Sequence, residues 1–511
     1  MDRRTFLKSM AGAGLAASAW PGARVLAREG VTPGYFGLHP FIEAHPEAVF
    51  IRQTHVATKN DWEAMRREAF ELGRRIFTRS KTPGISVAHK IALKPNLTDA
   101  QRTGLKHAIV TDPYVTEGLI DGLRRAHVSA ENIYVREGLM TTQPGIGYVE
   151  MVQRRGVHYG DDDSRAATFR DCPEGVVFRR TKFVGPFMYP DTHVINIAKL
   201  KTHSMGLTLC VKNLQGTNAH PYIQFCQSPP EAIAGDFQSD AARHLADLRT
   251  RHQQAGIPRW DSKEAGRMEM WAQRATDSYA LLQPSVMLNI IEGVYAQNGN
   301  GFDGGPSKAG EPEVFMTNVL IFGKDAFRLD IIGHWLAGHE PGNFGLFHIG
   351  KERGVTTALN PRNIPIYRWE NGGPKLAPLD QWARTPLTTS YLGREGEPNF
   401  HLCNEPFAYP TEPQSACLSG GERPGLRVLG PATPGSLPSS LALEYNLPAD
   451  ADASLEMYNA FGERVGVLAE GWTRRGVHMV DWDTQQRASG VYSCRLIAEG
   501  IARDLSITLA G

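Results

Sequence analysis

From Ser86 to about Ile366 the chain alternates short β-branched or apolar runs with stretches of helical period. That alternation restricts it to an α/β domain, an open, mostly parallel or mixed sheet with flanking helices. Ser86 to Leu93 reads as a strand that ends in Leu93-Lys94-Pro95-Asn96, and Pro113 to Ala126 as a helix behind the cap Thr111-Asp112. Asn132 to Val135 reads as a second strand running into Glu137-Gly138, so the three elements form a βαβ unit. Further strands are expected at Val176 to Phe183, His193 to Ile197, Val286 to Ile291 and Val319 to Phe322, with a helix from Ala326 to about Ala337. Ser239 to Leu282 is charged, helical in period, and reads as an insertion.

The N-terminus has a different pattern. Arg3 and Arg4 precede Thr5-Phe6-Leu7-Lys8 and a Gly/Ala-rich apolar stretch to about Trp20, the order of a twin-arginine signal peptide over residues 1–27 with cleavage after Ala27. The stretch is too short and too weakly apolar to span a bilayer, which takes about 20 apolar residues. The expected partner is therefore the twin-arginine translocase, and the expected location the periplasm, cell surface or medium, with no stable membrane span after cleavage. That route carries folded proteins, which raises the expectation of a cofactor without naming one.

After Pro406 the composition turns to Pro, Gly and Ser, the character of a linker over 407–438 that closes an α/β core of 28–406. Residues 439–511 then show short strands with turns at intervals of roughly 8–12 residues, the pattern of a small β-sandwich. In that segment Tyr445-Asn446-Leu447-Pro448, Met457-Tyr458-Asn459, Trp482-Asp483 and Ser489-Gly490-Val491-Tyr492 appear in a specific order. It resembles the Ig-like family that includes a domain of the flagellar hook-capping protein and the type IX secretion sorting domain. Tyr458, Trp482, Tyr492 and Leu496 read as inward positions, with Gly462 and Gly490 at turns.

The formal net charge of +1 gives no reason to expect nucleic acid or an anionic membrane as partner. The six cysteines, Cys172, Cys210, Cys226, Cys403, Cys417 and Cys494, include no CxxC pair, which disfavours an iron-sulfur module or a zinc ribbon. Cys403 and Cys417 either pair or remain free thiols.

The segments LKPN, TDP, EG, INIAKLKTH (Ile195 to His203), LTLCVKNLQGT (Leu207 to Thr217), NGNGFDGGPSKAG and FGKDAFRLDIIGHWLAG follow one another in an order similar to the family called domain of unknown function 362. The resemblance covers about Ser86 to Thr357. It implies an α/β fold distantly reminiscent of nickel-dependent lactate racemase, and no settled activity. Some members of that family carry a ferredoxin-like cluster domain, and the cysteines for it are absent from this sequence.

Several polar residues fall where expected strands end, which is where open α/β sheets bind ligands. Lys94 and Asn96 follow the first strand, Glu137 the second, and Lys199, Lys201, Thr202 and His203 the fourth, with Lys212 and Asn213 a few residues on. Lysines there would hold a carboxylate or phosphate as point charges. Lys201, His203 and Lys94 are the catalytic candidates. Asn96, Asp112, Glu137, Lys199, Thr202, Lys212, Asn213 and Asp303 are the ligand-binding candidates, and His203 is the candidate metal ligand. Asp112 is as readily a helix cap, Glu137 a partner for a lysine, and His203 a structural histidine.

Gly299, Gly301 and Gly304 match GxGxxG, but no helix start follows, so the run is weak evidence for phosphate binding. His334 and His339, with His348 and Glu340, are spaced too irregularly for one helix face, and His193, His203 and His220 form a second histidine set only if the fold gathers them. Asp325 and Asp330 near a helix start read as caps.

Two functions remain open. One is an exported enzyme, or a protein binding a metal or a small anionic cofactor, with an anion site at the carboxyl edge of the sheet. The other is a non-catalytic ligand-binding or surface-scaffold protein. No HExxH or nucleophile elbow is present to indicate a common hydrolase.

Overall fold

The computed structural model describes residues 34–509 except 81–83, 99–107, 139–145, 160–166, 204–205, 224–230, 258–264, 300–311, 372, 389–403, 410–424, 429–439, 448, 460–462, 486 and 499–500. The twin-arginine segment, Asp303, the later glycines of the GxGxxG run, Gly462, Cys226, Cys403 and Cys417 lie outside the described residues.

The alternating segment folds around one ten-stranded mixed sheet. Its strands are β1 (Val49–Gln53), β2 (Lys90–Pro95), β3 (Ile133–Val135), β4 (His158–Tyr159), β5 (Thr192–His203), β6 (Gly206–Thr208), β7 (Val286–Asn298), β8 (Glu313–Gly323), β9 (Ile366–Glu370) and β10 (Gly373–Leu376). They lie in the order β10-β9-β1-β8-β7-β5-β2-β3-β4, with β6 folded back on the end of β5. The central run β7-β5-β2-β3-β4 is parallel, and β8 is antiparallel to both of its neighbours.

The strands expected at His193, Val286 and Val319 all exist but are longer: β5 and β7 continue past their apolar runs into polar residues, and β8 starts upstream of its run, at Glu313. β1 lies upstream of Ser86 yet pairs inside the sheet with β8 and β9. The strand expected over Val176 to Phe183 is confined to Arg180–Phe183, in a separate hairpin with Thr168–Asp171. The physical reason is that Val176, Val177 and Phe178 donate their amides to the Asp277 carboxylate at 2.9–3.0 Å instead of to a neighbouring strand.

Two helical layers cover the sheet. On one face α1 (Trp62–Ile76), capped by Asp61, and α2 (Pro113–Arg125), capped by Asp112, pack over Ile91, Leu93, Ile195, Ile197 and Ile290, flanked by α3 (Tyr148–Arg155). On the other, α4 (Cys210–Leu214), α6 (Ala265–Leu282), α7 (Ala326–Leu336) and α8 (Gly345–Glu352) pack over Ala92, Val194, Ala198 and Ile321. The charged stretch that reads as an insertion forms α5 (Ala241–Gln254) and α6. Trp271 and Tyr279 of α6 belong to the main core, so this segment completes the second layer rather than standing apart from it.

C-terminal to the core, two antiparallel sheets face each other. Gly425–Val428, Ser440–Leu447 and Gly476–Asp483 form one, and Ala451–Tyr458, Arg464–Thr473, Gly490–Ala498 and Ile501–Leu509 the other. Leu443, Leu455, Trp482, Tyr492 and Leu496 fill the space between them. Tyr458 does not join them: Met457 takes the inward position, and the Tyr458 hydroxyl donates to Glu456 on the outer face. Among the described residues no helix is long and apolar enough to cross a membrane.

α1 and α2 run side by side in near backbone contact at Gly73, Gly118 and Gly122. A Cβ on Gly118 would overlap the carbonyl oxygen of Arg66 and stand 2.7 Å from Ala69 Cβ and Phe70 N. Relief requires the helices to separate, so Gly118→Ala is expected to lower stability by about 1–3 kcal/mol. Gly37→Ala, with nothing within 4 Å of the new atom, serves as the control and should stay within about 0.5 kcal/mol. Urea unfolding of the two variants checks both values.

Candidate functional site

The carboxyl ends of β2, β3, β5 and β7 meet between the two helical layers, and the polar residues expected there converge. β2 presents Lys94 toward α4. The Lys94 ammonium is fully buried and donates to Glu137 Oε2 at 2.6 Å, to Asn213 Oδ1 at 3.2 Å and to the Pro95 carbonyl at 2.8 Å. Asn96 donates from Nδ2 to the same Asn213 oxygen at 3.0 Å and accepts from Lys201 Nζ at 3.1 Å. Two amides, Asn213 and Asn96, thus join Lys94 to Lys201 across adjacent strands.

The amide chain continues into the core. Asn213 Nδ2 donates to Asn196 Oδ1 at 2.7 Å, and Asn196 Nδ2 donates to Asn289 Oδ1 at 2.8 Å. Each of these side chains is buried and partnered, which is what a polar group inside a core requires.

Local folding explains the placement of Asn213. α4 is only five residues long, and its first amides, Cys210 N and Val211 N, donate to the Asp330 carboxylate at 2.6 and 2.8 Å. Asp325 caps its own helix as its position implies, whereas Asp330, one turn on, holds the start of a different helix. Burial pushes the Asp330 carboxyl up, and the two amides oppose the shift. Gly216 completes the enclosure, since a Cβ there would overlap Glu137 Oε1 and come within 2.6 Å of Lys94 Nζ. Only a glycine lets this backbone close over the ion pair.

On the α2 side of the sheet lies a second buried group. Lys199 Nζ is 2.5 Å from Glu292 Oε2 and 3.5 Å from the centre of the Tyr295 ring. The Tyr295 hydroxyl donates to Asp112 Oδ2 at 2.8 Å, and the Asp112 amide donates to Glu292 Oε2 at 3.3 Å. Thr111 bonds the two regions, accepting from the Asn96 amide and donating to the Ile197 carbonyl, each at 2.8 Å. Asp112 therefore caps α2 through Tyr114 N with one oxygen and serves this cluster with the other.

Burial lowers the ammonium pKa of both Lys94 and Lys199, opposed by Glu137 and Glu292 respectively. Burial, reinforced by the nearby Glu292 charge, pushes the Asp112 carboxyl up to about 6, against the pull of the Tyr295 hydrogen bond.

The other expected residues take up different positions. Thr202 and His203 are buried at the end of β5, in register with Leu207 and Gly206 of β6. Lys212 is half-buried on α4, and its charge bears on Lys94. The set His193, His203 and His220 is not gathered: His193 opens β5 and stacks on His89, ten residues and roughly 33 Å of strand from His203.

His334 and His339 lie 6.3 Å apart between ring centres, beside Phe344 and Phe347, and His348 donates from Nε2 to the Gly342 carbonyl oxygen at 2.8 Å. Among the described residues no group of three His, Cys, Asp or Glu side chains is placed to hold a metal ion, around His203 or elsewhere.

Four participants escape the sequence reading: Glu292, Tyr295, Asn196 and Gly216. A carboxylate inside the apolar run Ile290-Ile291-Glu292-Gly293-Val294 and an amide inside Ile195-Asn196-Ile197 were the available signals, because buried polar groups in strands demand partners.

With the geometry in place, comparison with known families matches residues 91–334 to the family described as Domain of unknown function (DUF362). Lys94, Glu137, Lys199, Lys201, Asn213 and Glu292 all fall inside that span, and the C-terminal sandwich falls outside it. No curated protein matches the chain.

Asp112 gives the cluster a pH signature. Its folded pKa of about 6 lies above the ordinary aspartate value of 3.8, so folding favours its protonated form. The associated stability is fully present below the unfolded value and is lost as pH rises through the folded one. Asp112→Asn keeps a capping oxygen without titrating. Wild type is therefore expected to lose roughly 1–3 kcal/mol relative to this variant between about pH 4 and pH 7. Urea unfolding at a series of pH values measures that difference.

Proposed function

We propose that the protein is an exported enzyme that binds a small anionic substrate at the carboxyl edge of its sheet and transfers protons there. The observation that carries this reading is the single hydrogen-bonded network joining Lys94, Asn96, Asn213 and Lys201, with Lys199 beside it. Three fully buried lysines are costly to a fold, and an apolar core would supply the same stability. Ionisable groups retained at such an edge are accounted for by chemistry on a ligand.

In this reading Lys94 and Lys201 bind the anion, held at a fixed separation by Asn213 and Asn96. Lys199, Glu292, Asp112 and Tyr295 supply and accept the proton, because the burial that lowers Lys199 and raises Asp112 brings the two groups closer in acidity. His203, at the end of the same strand, is a second proton carrier. A ligand-binding role without catalysis is supported by the closed Lys94–Glu137 and Lys199–Glu292 pairs, which fix charge in place.

Calorimetry with inorganic phosphate and with acetate tests the site. Wild type is expected to bind at least one of them, and Lys201→Met to lose that binding with its melting temperature within a few degrees of wild type. Unchanged binding in the variant overturns the assignment. Export rests on Arg3-Arg4 and the apolar stretch behind them. Replacing both arginines by lysine is expected to leave the full-length protein in the cytoplasmic fraction, whereas wild type is recovered outside it.

A further inference from the structure

Away from the buried lysines, a cleft of about 650 Å³ runs along the outer surface of the α1–α2 layer. That volume is within the range of small-molecule sites. Trp62, Arg66, Arg67 and Phe70 of α1 line one side, Tyr114 of α2 and Arg154 of α3 the other.

Its aromatic wall is preformed. The Trp62 indole stacks on the Tyr114 ring with centroids 5.7 Å apart and planes 14° from parallel, while the indole remains 55% exposed. The Arg154 guanidinium covers Tyr114 at 5.9 Å. Two rings fixed face to face at a surface, one face still open to solvent, offer a platform with little rotamer entropy left to lose on binding.

The charges around the cleft are unequally satisfied. Glu117 is held by Arg154 at 2.9 Å and Arg155 at 2.8 Å, and Asp121 by Arg66 at 3.0 Å and Arg155 at 3.3 Å. Those two carboxylates are consumed by three arginines. Arg67 is exposed and pairs with no carboxylate among the described residues. Glu63 also lines the cleft, but it stands in the first turn of α1, where the helix dipole favours its charge. Of the three arginines that line the cleft, Arg66 and Arg154 are taken up by Asp121 and Glu117, which leaves Arg67 as the guanidinium there without a carboxylate partner among the described residues.

We propose that this cleft binds a small planar aromatic anion, its ring against the Trp62–Tyr114 stack and its carboxylate or phosphate on Arg67. An aromatic ring matches the open indole face, and a single negative charge matches the single unpaired guanidinium. The site is independent of the buried lysines in its groups, although Tyr114 also donates its amide to Asp112 at 2.8 Å.

Calorimetry on the full chain with naphthalene-2-carboxylate as the probe tests the proposal. Wild type is expected to bind, and cyclohexanecarboxylate, which has the same charge without the π face, to bind about tenfold more weakly. Trp62→Ala and Arg67→Gln are each expected to weaken the naphthoate by about tenfold, with unchanged far-ultraviolet circular dichroism because both side chains are exposed. The Arg67 effect should shrink as salt is added. No binding to wild type, or wild-type affinity in the Trp62 variant, overturns the proposal. Lys201→Met provides the separation from the phosphate and acetate site, since it is expected to leave naphthoate binding intact.

Discussion

The Lys94–Glu137 ion pair is the contact on which the surrounding structure turns. An ammonium and a carboxylate with essentially no solvent exposure are tolerated only if every remaining proton and lone pair finds a partner. Here the requirement reaches far along the chain. Lys94 needs Asn213, which needs α4 to start where it does, and Asp330 of α7 fixes that start through two backbone amides. Glu137 accepts the Leu97 and Gly138 amides as well, and Gly216 lies over the pair with no room for a side chain. Four segments remote in sequence are therefore positioned by one buried charge pair. A fold stabilised by apolar burial alone would not constrain them so tightly.

The same reasoning explains why the amides run as a chain. A buried asparagine offers two donors and one acceptor oxygen with two lone pairs, so it is satisfied most economically by another asparagine at the right distance. Asn96, Asn213, Asn196 and Asn289 meet that condition in sequence from the sheet edge to its middle. The chain fixes the amide orientations together: turning one of them would place like atoms opposite each other along the row. The Asn96 oxygen is thereby held toward Lys201, and the lysine is aimed by hydrogen bonds that begin deep in the core.

Much of this was legible in the residues. The α/β alternation, the element boundaries at Asp112 and Glu137, and the meeting of Lys94, Asn96, Lys201 and Asn213 follow from strand ends and from the rule for open sheets. What was not legible depends on pairings made across the fold. The reach of β5 and β7 beyond their apolar runs comes with the Lys199–Glu292 pair made between them inside the sheet. Val176 to Phe178 has the composition of a strand, but a carboxylate about a hundred residues away claims its amides. Asp330 has the position of a cap for its own helix and caps another. Tyr458 has the composition of a core residue, but strand alternation gives the inward place to Met457. Local pattern assigns the element; long-range polar demand decides where it stops and which way it faces.

Asp112 shows how two surfaces of the protein come to share one residue. As a cap it satisfies Tyr114 N and sets the direction of α2, which in turn sets the Tyr114 ring against Trp62. As a cluster member it accepts from Tyr295 beside the Lys199–Glu292 pair. Its raised pKa makes these roles unequal: the proton, when present, occupies an oxygen that would otherwise accept, and the hydrogen bonds from Tyr114 and Tyr295 compete with it. A change of charge beneath the start of α2 thus acts on the helix that forms one wall of the outer cleft. One carboxylate thus fixes the backbone at the start of α2 with one oxygen and closes the buried cluster with the other.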